Sequence, residues 1–341
     1  MGATPDRTRP SQRSSILTIR RRVRTSKIGS YTTPKTRANI ERCIQSMEYT
    51  RTVPRHLVHR HAVAEVFLTD YRIESDSAYQ VAVQLPVSHR IFDVSSEQHD
   101  PLGVAEAFRQ AVVLLCHTRY EIPLHYKFLM ETFSFEMLDA LDVQPVAEPL
   151  SFSMTADNLT HRDGAVSGVE VSGILREGNR HVARCKAVAR GVSPEGYRRI
   201  RQGREDHRPS RRILPSGTAV VGSERVGRLT DGDVLISTDP ARHTMFCTPD
   251  PRNHSLFDHP VDHIPGMILF EAARQAVRFH IGNPATKIAS LSAVFPRFTE
   301  WETPCEVSTT LLDASGHVHR VRFTQDLETT AELELTVADQ L

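Results

Sequence analysis

Glu106 with Arg109, and Glu271 with Arg274, are carboxylate–guanidinium pairs three residues apart, so each pair shares one face of any helix that carries it. On a solvated helix such a pair contributes only about 0.2–0.5 kcal/mol. The residues around both pairs are mostly alanine, valine, leucine and isoleucine, too apolar for a surface helix. An ion pair buried there must offset a desolvation cost of several kcal/mol, so both pairs are candidates for function. Just ahead of the second pair, Pro265-Gly266 suits a helix start. A helix start presents unpaired N–H groups and a partial positive charge that can polarise a carbonyl, and glycine lets the reacting group come close. His259 and His263 are four apart, but Pro260 and Pro265 oppose a regular helix between them and no third ligand accompanies them, so no metal is expected. His56, His59 and His61 read as strand-edge residues, and Cys116 and Cys247 as small buried hydrophobes rather than nucleophiles. GxxxxGK[ST], GxGxxG and GxSxG are absent, which leaves a P-loop, a Rossmann unit and a nucleophile elbow unsupported.

The elements that would position these residues occur twice. At an offset of 165, His89-Arg90-Ile91-Phe92-Asp93 falls on His254-Ser255-Leu256-Phe257-Asp258, and Glu106-Ala107-Phe108-Arg109-Gln110-Ala111-Val112 falls on Glu271-Ala272-Ala273-Arg274-Gln275-Ala276-Val277. Six of the seven positions in the second block agree with no gap between the blocks, which marks a tandem duplication of one fold and not a solenoid. Ile268, Ala272 and Ala276 with Leu269, Ala273 and Val277 recur at helical spacing, predicting a mostly buried helix. Beyond each helix the pattern turns to alternation: Phe133 to Phe135, Val166 to Leu175 and Val182 to Val188, then Val307 to Leu312, Val321 to Phe323 and Leu333 to Val337. A buried helix followed by an antiparallel meander, twice over, predicts an α+β tandem double hotdog. Each copy would wrap a curved sheet around its helix, and the two sheets would join edge to edge.

The run Phe257-Asp258-His259-Pro260-Val261-Asp262-His263-Ile264-Pro265-Gly266-Met267-Ile268-Leu269-Phe270-Glu271-Ala272 resembles the hotdog dehydratases of fatty-acid synthesis, with a shorter loop between His259 and Gly266. With the duplication and the Glu-Ala-Ala-Arg-Gln-Ala run, the chain resembles more closely the A-factor biosynthesis (AfsA-like) family, over about residues 55 to 340. That resemblance implies transfer of a β-ketoacyl group from acyl carrier protein to the hydroxyl of dihydroxyacetone phosphate, followed by condensation toward a butenolide phosphate, with no cofactor. It further implies a site shared between copies, with the histidine from one and the carboxylate from the other. The first copy carries Val94, Asp100 and Pro101 where the second has His259, Pro265 and Gly266, so His259 and the Gly266 helix head would act with Glu106. Glu106, with His259, would be the general base, and Arg109 and Arg274 would grip the phosphate. Glu271 would face the defective half-site, as a substrate-binding or a structural residue.

The remaining composition bounds the setting. A chain of 341 residues with formal net charge +1 has room for two domains and is not built as a whole for nucleic acid. Five scattered cysteines without a CxxC pair fit a reducing cytoplasm, and no apolar run suits a bilayer span or a signal peptide. The expected division is a flexible basic arm over 1–50, a first repeat over 51–197, an Arg-rich linker over 198–212 and a second repeat over 213–341. The competing readings are a hotdog thioesterase or dehydratase, and a non-catalytic acyl-ligand regulator whose basic arm touches DNA.

Overall fold

A computed structural model describes residues 47–92, 97–143, 148–202 and 208–338. The basic arm up to residue 46, Val94 and the middle of the Arg-rich stretch, 203–207, lie outside the described residues.

Both copies of the Glu-Ala-x-Arg-Gln-Ala-Val block lie in helices. Helix α1 spans Pro101–Thr118, with Pro101 in its first turn and the Asp100 side chain accepting a hydrogen bond from the Leu102 N–H at 2.8 Å. The second copy's helix, Gly266–Ile281, ends on Gly282 in the left-handed region at φ 77°. A short helix, Pro194–Ile200, lies between them. In chain order these are α1, α2 and α3. The side of α3 that carries its ion pair is as buried as its apolar side, and on α1 Glu106 is buried while Arg109 stays partly exposed.

Strands β1 (Leu68–Ile73) and β2 (Ala78–Val83) precede α1; β3 (Lys127–Met137), β4 (Leu150–Arg162), β5 (Ala165–Glu177) and β6 (Arg180–Val192) follow it. The second copy repeats the plan: β7 (Ala219–Val220), β8 (Ile236–Asp239) and β9 (Thr244–Cys247) precede α3, and β10 (Ile288–Val294), β11 (Cys305–Leu311), β12 (Val318–Gln325) and β13 (Glu328–Val337) follow it. All thirteen form one antiparallel sheet in the order β1-β2-β4-β5-β6-β3-β10-β13-β12-β11-β9-β8-β7. The same order runs outward from the centre in both halves, with β7 added at one edge. The halves meet where β3 pairs with β10, Phe135 opposite Leu291 and Phe133 opposite Ala293. The expected edge-to-edge tandem hotdog is therefore observed. The strands ahead of each helix were not anticipated, because these short segments lack a sustained alternation, and β4 and β10 behind the helices were not anticipated either.

The core gathers aromatic rings between helices and sheet. Phe133 of β3 lies 5.9 Å from the Phe108 ring of α1 and 5.3 Å from the Phe270 ring of α3, so one side chain joins the two helices. Gly173 of β5 faces Phe108 so closely that a Cβ there would sit 2.7 Å from the ring, which fixes glycine at that strand position. The start of the Arg-rich stretch differs from a solvated linker: Arg201 is buried and bonds Asp262 and Glu300. An arginine in a composition-poor stretch is read as solvated until its carboxylate partners, here 61 and 99 residues away, are placed beside it.

Candidate active site

Glu106 sits on the buried face of α1 with every oxygen engaged. Its Oε1 accepts from Arg109 Nη2 at 2.8 Å, from Gln110 Nε2 at 2.7 Å and from Arg60 Nε at 3.1 Å, while its Oε2 accepts from Arg109 Nε at 2.8 Å. Burial works to raise the Glu106 pKa, but the guanidiniums of Arg109 and Arg60 reverse this and hold it down to about 2. Arg60 and Arg109 keep 14% and 22% of their side chains exposed and line a cavity of about 850 Å³. His259 and Gly266 border the same cavity, so Glu106, Arg109, His259 and Gly266 are brought to one place, with Glu106 behind its two arginines.

Glu271 of α3 has the matching set. Its carboxylate accepts from Arg228 Nε and Arg274 Nε, both at 2.8 Å, and from Gln275 Nε2 at 2.6 Å. Here the arginines are sealed, with only 3% of each side chain exposed. Arg274 Nη1 donates to Asp100 Oδ2 at 2.6 Å, and Arg228 Nη1 donates to the Ile91 carbonyl at 2.9 Å. Arg274 thus lies between two carboxylates. Among the described residues Arg109 has Glu106 alone, because Pro265 stands at the position of Asp100. Glu271 and Arg274 do not border the cavity.

Arg60 and Arg228 were not singled out from the sequence. They correspond at an offset of 168 rather than 165, in Val53-Pro-Arg-His-Leu-Val-His-Arg60 and Val221-Gly-Ser-Glu-Arg-Val-Gly-Arg228, three residues out of step with the helices. Both follow a short 3₁₀ turn that ends on a left-handed residue, His59 at φ 53° and Gly227 at φ 68°. That turn swings the next arginine back onto the helix. A gapped self-comparison would have found the pair.

The two helix heads differ in the same sense. Asp100 closes the head of α1, whereas Pro265 offers no side chain to the head of α3, which opens onto the cavity. A Cβ on Gly266 would collide with Met130 Cε and the Phe295 ring. His259 is held neutral, its pKa lowered to about 4 by burial and by Arg60 and Arg109. Its Nδ1 is buried without a hydrogen-bond partner and lies 3.7 Å from Asp258, whose oxygens accept from the His61 and Ala62 N–H groups. His263 also borders the cavity, and its Nδ1 is 2.8 Å from the buried Asp262.

The chain is 35% identical to a 2-oxo-3-(phosphooxy)propyl 3-oxoalkanoate synthase of Streptomyces coelicolor over 262 residues, covering 76% of this chain and 82% of that one. It is 31% identical to a protein of the same name from Streptomyces virginiae, over 81% of this chain and 93% of the other. Among solved structures it is similar to a putative thioesterase II from Thermobifida fusca, at TM-score 0.45 and 10% identity over 80% of this chain and 97% of that one. An acyl-ACP thioesterase from Bacteroides thetaiotaomicron gives 0.43 and 9% over 76% and 97%. The family model of the A-factor biosynthesis hotdog domain matches residues 45–193 and again 212–338, once on each half of the sheet, and the chain belongs to that family.

Proposed function

We propose that this protein is an acyltransferase that moves a β-ketoacyl group from an acyl-carrier-protein thioester to the hydroxyl of dihydroxyacetone phosphate, on the way to a γ-butyrolactone-type signal. The observation that carries the reading is the contrast between the two clusters. In the sealed one, the protein's own Asp100 carboxylate and Ile91 carbonyl occupy the guanidiniums of Arg274 and Arg228. In the open one, Arg60 and Arg109 face a cavity, the Val58 carbonyl accepts from Arg109 Nη2 at 3.5 Å, and among the described residues no carboxylate stands in the place of Asp100. A phosphate supplied by the substrate would complete that cluster, because a guanidinium fork matches its oxygens. The relatives' name describes the ester of a 3-oxoalkanoate with a phosphooxy-propanone, which is the product of this transfer.

The residues then divide the work. Arg60 and Arg109 grip the phosphate, and Glu106 and Gln110 fix the guanidiniums. A carboxylate held at a pKa of about 2 with all its oxygens engaged is a weak base, so Glu106 serves through the arginines rather than by taking a proton. The α3 head at Gly266 polarises the thioester carbonyl, and neutral His259 borders the acceptor. Glu271 and Arg274 brace the fold. The reaction calls for no redox or metal cofactor, and carrier-protein substrates place it in the cytoplasm. The same reading takes 51–197 and 213–341 as the two repeats, with 198–212 joining them.

The test is mass spectrometry of products from a β-ketoacyl thioester, with and without dihydroxyacetone phosphate. An ester that requires the acceptor is expected. Arg109→Gln should raise the KM for the acceptor by about 10-fold or more, the scale of a lost charged hydrogen bond, while Arg274→Gln should act on stability first. Free acid alone under both conditions would make the protein a thioesterase, and an intact thioester with measurable ligand affinity would make it a binding module.

A further inference from the structure

His263 and His259 face the same cavity, but His263 is the more firmly oriented. Its Nδ1 lies 2.8 Å from Asp262 Oδ1, and its ring stands edge-on to Phe298 at 4.8 Å between centroids. Asp262 is buried and fixed from the far side by the Tyr197 hydroxyl at 2.8 Å and by Arg201 Nε at 2.8 Å. Arg201 is in turn held by both oxygens of Glu300, at 2.7 and 2.8 Å, and stacks on Phe298. Lys127 lies over the opposite partner, the Tyr197 ring, at 5.9 Å. Burial tends to raise the Asp262 pKa, but the hydrogen bonds of His263 and Tyr197 and the charge of Arg201 reverse this and keep it ionised. An ionised carboxylate can only accept, so Nδ1 is the nitrogen that donates to it and Nε2 is the nitrogen left to exchange a proton with a substrate. His259 is held less firmly: its Nδ1 makes no hydrogen bond, standing 3.7 Å from Asp258, and its basicity is suppressed by burial and by Arg60 and Arg109.

We propose that His263, positioned by Asp262, is the catalytic residue that transfers the proton in the acyl exchange. The proposal rests on the function given above for its substrates. His263 Nε2 takes the proton of the acceptor hydroxyl as the oxygen forms its bond to the thioester carbon, and the resulting oxyanion faces the α3 head. The intermediate collapses with cleavage of the C–S bond, and the imidazolium returns the same proton to the departing sulfur. Alcohol and thioester become ester and thiol, with no proton gained or lost. Asp262 is a positioning residue: it sets the tautomer and stabilises the imidazolium formed in between.

The experiment uses the full chain with a β-ketoacyl thioester and dihydroxyacetone phosphate, and follows whichever product, ester or free acid, the wild type releases. His263→Ala should lose about 100-fold or more in kcat with the acceptor KM little changed, and added imidazole should restore part of the rate. Asp262→Asn, in which Arg201 keeps Glu300, should shift the acid limb of the pH–rate profile to lower pH, because the imidazolium loses its carboxylate. That shift carries the test if His263→Ala does not fold. Retention of the rate within about threefold in His263→Ala, or an acid limb moved by His259→Asn and not by Asp262→Asn, overturns the proposal. Release of free acid alone, with the limb still governed by Asp262, overturns the acceptor assignment and leaves the His263 assignment standing.

Discussion

Glu106 and Glu271 have the same kinds of neighbour, two arginines and a glutamine, yet the first cluster borders the large cavity and the second does not. One difference between them is that Asp100 stands where the second copy has Pro265, and another is the Ile91 carbonyl that accepts from Arg228. The Glu106 carboxyl is held at about 2 against an ordinary 4.5. Its stabilising contribution is therefore complete above about pH 4.5 and is lost as pH falls through 2. Glu106→Gln should lower stability at pH 7 by about 3 kcal/mol or less, since it leaves two half-buried guanidiniums under-compensated. It should also flatten the decline of stability between pH 4.5 and 2, which urea titrations across that window would measure. An unchanged slope would mean that the carboxyl is not clamped as described.

At the scale of elements, the two helix heads make the asymmetry chemical. Asp100 satisfies the head of α1 from its own side chain and reaches across to Arg274, so one residue both caps a helix and seals a cluster. Pro265 leaves the head of α3 to the cavity. Gly266→Ala puts a methyl group against Met130 and Phe295. The acyl-transfer rate should fall by about 10-fold or more, as for a displaced oxyanion donor. Affinity for phosphate should hold, because Arg60 and Arg109 sit on the turn before β1 and on α1. Steady-state kinetics beside a phosphate titration separate the two effects, and a parallel loss of both would argue against this division of roles.

For the whole molecule, the β3–β10 seam and Phe133 make one body of two copies. Phe133→Ala should cost about 3–5 kcal/mol by opening a void beside both helices. Trp301, the single tryptophan, reports the second half, whereas far-ultraviolet circular dichroism reports both. Coincident urea transitions by the two probes are expected in wild type. Separate transitions would show that the seam does not couple the halves.

The duplication, both buried helices, the strands of each meander other than β4 and β10, and the Glu–Arg pairs were legible in the sequence, because they depend on periodicity and on residue types a few positions apart. The resemblance to the hotdog dehydratases marked His259, the helix-start signal marked Gly266, and the alignment of the two copies marked the unlike helix heads. What it could not place were partners distant along the chain: Arg60 against Glu106, Arg228 against Glu271, Asp100 against Arg274, and Tyr197 and Arg201 around Asp262. These contacts hold charges that neither segment could bury alone, so they exist only once distant parts of the chain pack, within one copy for Arg60 and Arg228 and between the copies for Asp100, Tyr197 and Arg201. The sequence determined that this is a duplicated hotdog with ionic helices. The tertiary structure alone decided which cluster is sealed and which is open, because that depends on whether a side chain from the other copy reaches the arginines.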